Sequence, residues 1–90
     1  MTTMIVQHGV ADYDVWRPLF DGHATARAAH GGSGATVFRG ADDANAITVL
    51  MDFPSLADAQ AFASDPSLKE TMQRAGVTGP PQISFVEQAG

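Results

Sequence analysis

Apolar and polar residues alternate over residues 4–10: Met4, Val6, His8 and Val10 fall on one side of an extended chain, Ile5 and Gln7 on the other. A period of two marks a half-buried strand, so this segment is read as the first strand. After it the period lengthens. Asp12 or Asp14 can cap a helix that runs to about Ala29, with Pro18 close enough to its first turns to be tolerated or to bend it slightly. Gly31-Gly32-Ser33-Gly34 stops it. Residues 36–39 and 46–53 are β-rich runs on either side of Gly40-Ala41-Asp42-Asp43-Ala44-Asn45, a turn-forming hexad, and read as an antiparallel hairpin. Ser55 opens a Ser-x-x-Asp capping pattern with Asp58, and Leu56, Ala59, Phe62 and Ala63 give the second helix an apolar stripe. Asp65-Pro66 restarts it as a short segment that carries Leu68 and Met72 and ends at Gly76. Gly79-Pro80-Pro81 then leads into a last strand, residues 82–87.

Two β-α-β halves joined by a hairpin predict an α+β chain, residues 1–90 forming a single domain of ferredoxin-like β-α-β-β-α-β order. Its four-stranded antiparallel sheet carries both helices on one face. The other face needs a cover, and the simplest is the same face of a second copy about a two-fold axis, so a homodimer is expected.

Composition sharpens this reading. Ninety residues support one core only. Cysteine is absent, which removes disulfides and thiolate metal sites and fits a reducing cytoplasm. No basic and apolar leader precedes the first strand, and no apolar run approaches the roughly 20 residues that span a bilayer. The expectation is a soluble, cytoplasmic protein with no membrane partner. Ten acidic residues against five basic ones leave a net charge of −5, which repels phosphate backbones and argues against nucleic acid. With 44% hydrophobic and 17% charged residues, so small a chain has apolar surface to hide, again favouring self-association.

Candidate chemistry gathers on the first helix. At about 100° per residue, Tyr13, Val15, Trp16, Leu19, Phe20, Ala24 and Ala26 share one broad arc that should face the sheet. Pro18, Asp14, Asp21 and Thr25 lie opposite. His23 and Arg27 fall inside the apolar arc, and His30 does too if the helix reaches it. A buried guanidinium stays charged, so Arg27 needs a carboxylate such as Asp52 or Glu87, backbone carbonyls, an aqueous cavity or an anionic ligand; alternatively it snorkels over the helix end. A cavity accounts for His23 and Arg27 together. Their i,i+4 spacing brings an imidazole that can move protons beside a guanidinium that can hold an enolate or phenolate oxygen. Trp16, Tyr13 and Phe20 would wall such a pocket. His8, among apolar strand residues, reads either as a hydrogen-bonded core histidine or as an assistant from the sheet.

Other chemistries find little support. The positions of His8, His23 and His30 match no helical or loop ligand pattern, so no metal is expected. The glycines at 31, 32 and 34 follow a helix instead of opening one after a strand, and make no dinucleotide fingerprint. Ser33, Ser55, Ser64 and Ser84 lack a nucleophile-elbow context. Met4, Met51 and Met72 are read as core filling.

The segment Val10-Ala11-Asp12-Tyr13-Asp14-Val15-Trp16-Arg17-Pro18-Leu19-Phe20-Asp21-Gly22-His23, with Phe53-Pro54-Ser55 and Asp65-Pro66-Ser67-Leu68-Lys69-Glu70-Thr71-Met72, resembles the small dimeric α/β-barrel proteins related to antibiotic biosynthesis monooxygenases, some of them labelled cyclases. The resemblance runs from about Ile5 to Glu87. It implies a barrel of two face-to-face sheets, a pocket between each subunit's sheet and helices, and activity without metal or flavin. Under it the chain is expected to be a cofactor-independent enzyme on an aromatic or polyketide-like small molecule, of cyclase or monooxygenase type. His23 would be the acid/base, Arg27 the oxyanion partner and His8 an assistant, with Tyr13, Trp16 and Phe20 holding the substrate. The alternative is a non-catalytic small-molecule-binding or interaction module built on the same pocket.

Overall fold

The computed structural model describes residues 1–89. Strand β1 (Thr2–Val10) enters α1 (Tyr13–Gly22) and α2 (Ala24–Ala29), followed by β2 (Ser33–Arg39), β3 (Ala46–Phe53), α3 (Leu56–Ala63), α4 (Pro66–Arg74) and β4 (Val77–Glu87). All pairings are antiparallel and the strand order is β2-β3-β1-β4, the ferredoxin-like arrangement expected from the sequence. Each crossover is two short helices instead of one.

The first helix breaks at His23, which the sequence reading placed inside a continuous helix. Gly22 is a weak helix former, and the His23 N–H turns to the Phe20 carbonyl at 3.1 Å, closing a tighter turn before α2 begins. The second crossover breaks where expected: Ser55 caps α3 by accepting from the Asp58 N–H, and Asp65 caps α4 by accepting from the Ser67 N–H at 2.9 Å. Asp12 is the cap of α1.

The pleat of β1 aims Met4, Val6 and Val10 at the helices, and its register sets them beside Met51, Val49 and their neighbours on β3. Phe53 of β3 and Phe62 of α3 are fully buried with ring centres 5.5 Å apart. Burying each such side chain contributes about 1.5–3 kcal/mol, so this sheet–helix layer is the main source of stability. Trp16 anchors α1 to it. Three positions expected to face inward do not: Val15, Ala24 and Leu56 are exposed, because the buried arc of α1 centres on Trp16 and Phe20, Ala24 follows the break at His23, and Leu56 opens the first turn of α3.

Strand β4 begins at Val77, several residues before its expected start, and includes Gly79-Pro80-Pro81. Proline is tolerated because β4 is an edge strand with no neighbour beyond it. The register against β1 shifts between Gln7 and Gly9, and Gly79 at φ +73° takes up the turn of the chain there. On the face away from the helices, Ile5 pairs with Leu50, and Phe38 and Val86 stand exposed on the flanking strands.

Candidate functional site

Four side chains make a continuous column between the helices and the sheet. The Arg27 guanidinium carbon lies 4.2 Å from the centre of the Phe20 ring. Phe20 stacks on Trp16 at 4.8 Å with a 20° interplanar angle, and Trp16 meets His8 edge-on at 5.7 Å. The i,i+4 spacing of Trp16 and Phe20 on α1 makes the first contact, and α2 brings Arg27 back over the ring of Phe20 after the break at His23. His23 completes the group from the side, its Nε2 3.0 Å from the Ser67 hydroxyl and its ring 5.7 Å from that of Phe62.

His8, Trp16, Phe20, His23 and Arg27 all line one cavity, closed by Val6, Val49 and Met51 of the sheet, Phe62 of α3, and Leu68, Thr71, Met72 and Ala75 of the α4 segment. Its free volume is about 30 Å³, room for a water molecule, whereas pockets that hold organic ligands run to roughly 300–1,000 Å³. In this conformation the aromatic column fills its own pocket.

The polar groups are prepared for proton chemistry. His8 Nδ1 lies 3.3 Å from the Gly9 carbonyl, which can only accept, so Nδ1 carries the proton and neutral His8 keeps its lone pair on Nε2. Burial pushes the His8 pKa below 6.5, partly countered by that backbone bond. Burial also lowers His23, aided by the positive charge of Arg27 and opposed by Asp65. Both histidines are therefore neutral near pH 7.

Arg27 is buried, and desolvation lowers its pKa, but a guanidinium remains charged. The expectation of a partner at Asp52 or Glu87 is corrected. Arg27 Nη1 donates to the Phe20 carbonyl at 3.0 Å, while Asp52 and Glu87 accept from the hydroxyls of Thr3 and Thr2. Helical geometry supplies a carbonyl closer than either strand carboxylate. Gly32 keeps this corner tight: a Cβ there would sit 2.9 Å from the Arg27 carbonyl oxygen.

Tyr13, expected as a third aromatic wall, does not line the cavity. It lies one turn before Trp16, tilts against that ring at 5.8 Å, carries the Arg39 guanidinium 3.9 Å from its own ring centre, and accepts from Arg17 through its hydroxyl. His30 caps the end of α2 outside the cavity and bonds Asp65 at 2.9 Å. The His30 hydrogen bond, with those from Ser67, holds the Asp65 carboxyl down at about 2. Among the described residues no group of three potential metal ligands converges.

Ser67, Leu68, Thr71 and Met72 were not singled out as site residues from the sequence. The i,i+4 pair Leu68 and Met72 was visible as an apolar stripe, but only the packing of α4 beside α1 turns that stripe, with Thr71 next to it, toward His23.

No family model and no curated relative matches the chain. Solved structures do. A crystal structure of an antibiotic biosynthesis monooxygenase superposes with a TM-score of 0.76 at 12% identity, covering 100% of both chains. SnoaB, a cofactor-independent oxygenase from Streptomyces nogalater, gives 0.79 at 14% identity over 99% of this chain and 93% of its own. Rv0793 from Mycobacterium tuberculosis gives 0.70 at 14% identity over 100% and 97%. At such identities the likeness speaks for the fold: the chain has the ferredoxin-like fold of the antibiotic biosynthesis monooxygenase structures, as the resemblance of its residues had implied.

Proposed function

We propose that this chain is a cofactor-independent oxygenase of an aromatic, acidic C–H or O–H small molecule of phenol or anthrone type. The observation that carries the reading is the convergence of two neutral histidines and a buried guanidinium on one cavity walled by Trp16 and Phe20. The similarity of the fold to SnoaB supports it. A substrate anion must form before dioxygen can take electrons from it, and that first step needs only a base and a positive partner. His8 Nε2 and His23 share the proton work, with Ser67 steadying the ring of His23. Arg27 holds the anionic oxygen, and the stacked rings of Trp16 and Phe20 give the substrate ring a flat apolar wall. One oxygen atom then stays in the product and the other leaves as water with the two hydrogens removed from the substrate. Ring closure of a polyketide-like chain would use the same deprotonation; the likeness to an oxygenase favours oxygen transfer.

A second copy of the chain is the proposed partner. The sheet face bearing Ile5, Leu50, Phe38 and Val86 has no covering element among the described residues, and apolar strand faces are buried by sheet-on-sheet packing.

The test is oxygen uptake with 1,8-dihydroxyanthrone. Wild type should exceed the spontaneous rate, and His8→Ala and His23→Ala should each lower the excess by about 10²-fold or more while binding persists. Binding without any excess uptake in wild type would leave a non-catalytic binding module and end the enzyme reading.

A further inference from the structure

A cavity of about 30 Å³ cannot hold the substrate proposed above, so a neighbouring space must contribute. One adjoins it. A groove of about 360 Å³ runs between α4 and β4, with Val77 and Ile83 along its strand side and Lys69 and Gln73 on its helix side. Leu68 and Met72 line both this groove and the His8–His23–Arg27 cavity, and so form the partition between them. Leu68 is buried, whereas Met72 is only half-buried. Met72 is unbranched, with three rotatable side-chain bonds, and can swing aside without displacing the helix.

We propose that the α4–β4 groove is the outer part of the substrate site, and that Met72 is the gate which, on rotating, joins it to the inner chamber. The inference rests on the oxygenase reading and adds a substrate class to it. The occupant is an elongated fused-ring aromatic whose reacting ring reaches the histidines and whose far end carries a carboxylate or similar anionic group. Charge complementarity selects that end. In a chain with only five Lys and Arg residues and a net charge of −5, Lys69 puts an exposed ammonium on a groove whose other lining, apart from Gln73, is apolar. Lys69 makes no ion pair among the described residues, so its charge is available to a ligand. The groove walls contribute apolar burial, and the ammonium sets which end of the molecule remains outside.

The chain's one tryptophan, Trp16, lies in the inner chamber, so its emission reports occupancy there. Two probes are titrated into wild type, Lys69→Met and Met72→Phe: anthraquinone-2-carboxylate and 2-(hydroxymethyl)anthraquinone. Lys69→Met should raise Kd for the carboxylate about tenfold, the scale of one charge-assisted contact, and leave the neutral anthraquinone within about twofold. Met72→Phe should slow the quenching of Trp16 by both tricyclic probes at least about tenfold, since a bulkier and stiffer gate must move. Lys69 is exposed, so its variant keeps the core even if Met72→Phe fails to fold. Equal affinity of wild type and Lys69→Met for the carboxylate, or no quenching of wild type by either tricyclic probe, overturns the proposal. If the tricyclic probes fail to quench Trp16 while wild type still shows excess 1,8-dihydroxyanthrone uptake, the outer site is wrong and the oxygenase reading stands. If 1,8-dihydroxyanthrone uptake also shows no excess, the oxygenase reading has failed as well.

Discussion

His8 and His23 reach the same cavity from opposite layers, one on the central strand β1 and one at the joint between α1 and α2, and burial lowers the pKa of both. Each is thereby kept neutral and able to accept a proton near pH 7. The acid limb of the pH–rate profile should accordingly have its midpoint below 6.5, and a limb centred above 6.5 would remove these residues as the base. The same shifts bear on stability. Because the folded values lie below the unfolded value of 6.5, the unfolded chain binds more protons as pH drops. Their contribution is therefore complete above pH 6.5 and is lost as pH falls through the lowered folded values. Replacing His8 by Gln should flatten part of that decline in urea melts followed between pH 7 and 5. Arg27 is different in kind: its stack on Phe20 and bond to the Phe20 carbonyl also brace the α1–α2 joint. Arg27→Ala should lower both activity and Tm, whereas Arg27→Lys should recover activity better than Tm, since an ammonium restores the charge that holds the anionic oxygen but not the planar stack that braces the joint.

At the scale of elements, the N-terminus of α4 is the clamp that positions the α1–α2 unit. Asp65 caps α4 and bonds His30, and Ser67 bonds His23, so two short helices are held against a third by two side chains within a single turn. The Asp65 carboxyl is depressed from 3.8 to about 2, first by the His30 bond and then by those from Ser67. The folded state thus favours its ionised form, and the contribution is complete above about pH 3.8 and fades as pH falls through 2. Asp65→Asn preserves a good helix cap but removes the charge, so the acid-induced fall in Tm between pH 4 and 2 should become shallower. An unchanged acid slope would show that His30 and Asp65 do not interact in solution. Phe62 of α3 supports the same clamp from beneath, touching the rings of His23, His30 and Phe53. Phe62→Ala should destabilise the chain by about 3–5 kcal/mol in urea unfolding, the range for large cavities in a packed core.

For the whole molecule, the helices cover one sheet face and nothing among the described residues covers the other. Ile5 and Leu50 on the central strands are half-buried only by their neighbours, and Phe38 and Val86 are exposed. If a second copy packs there, sedimentation velocity at micromolar concentration should give a dimer, and Leu50→Lys should shift it to monomer by placing a charge in an apolar interface. A folded wild-type monomer under those conditions would refute the paired-sheet arrangement. No helix among the described residues is long and apolar enough to cross a membrane.

The alternating pattern of β1, the hairpin and the caps at Ser55 and Asp65 were legible in the sequence because each is a local rule: strand period, turn residues, and side chains that satisfy nearby N–H groups. The placing of His23 and Arg27 on the inward arc of the first helix was legible for the same reason. What the sequence could not supply was long-range geometry. The break at His23 depends on a weak helix former yielding to the packing of α2, and the prolines of β4 were readable as strand only once β4 was known to be an edge. Tyr13 shares the arc of Trp16 and still misses the cavity, because an arc is a direction and a cavity has an end. Leu68 and Met72 looked like ordinary core residues from their spacing. Only the meeting of α4 with α1 on one side and β4 on the other made them a partition, since that depends on three elements far apart along the chain.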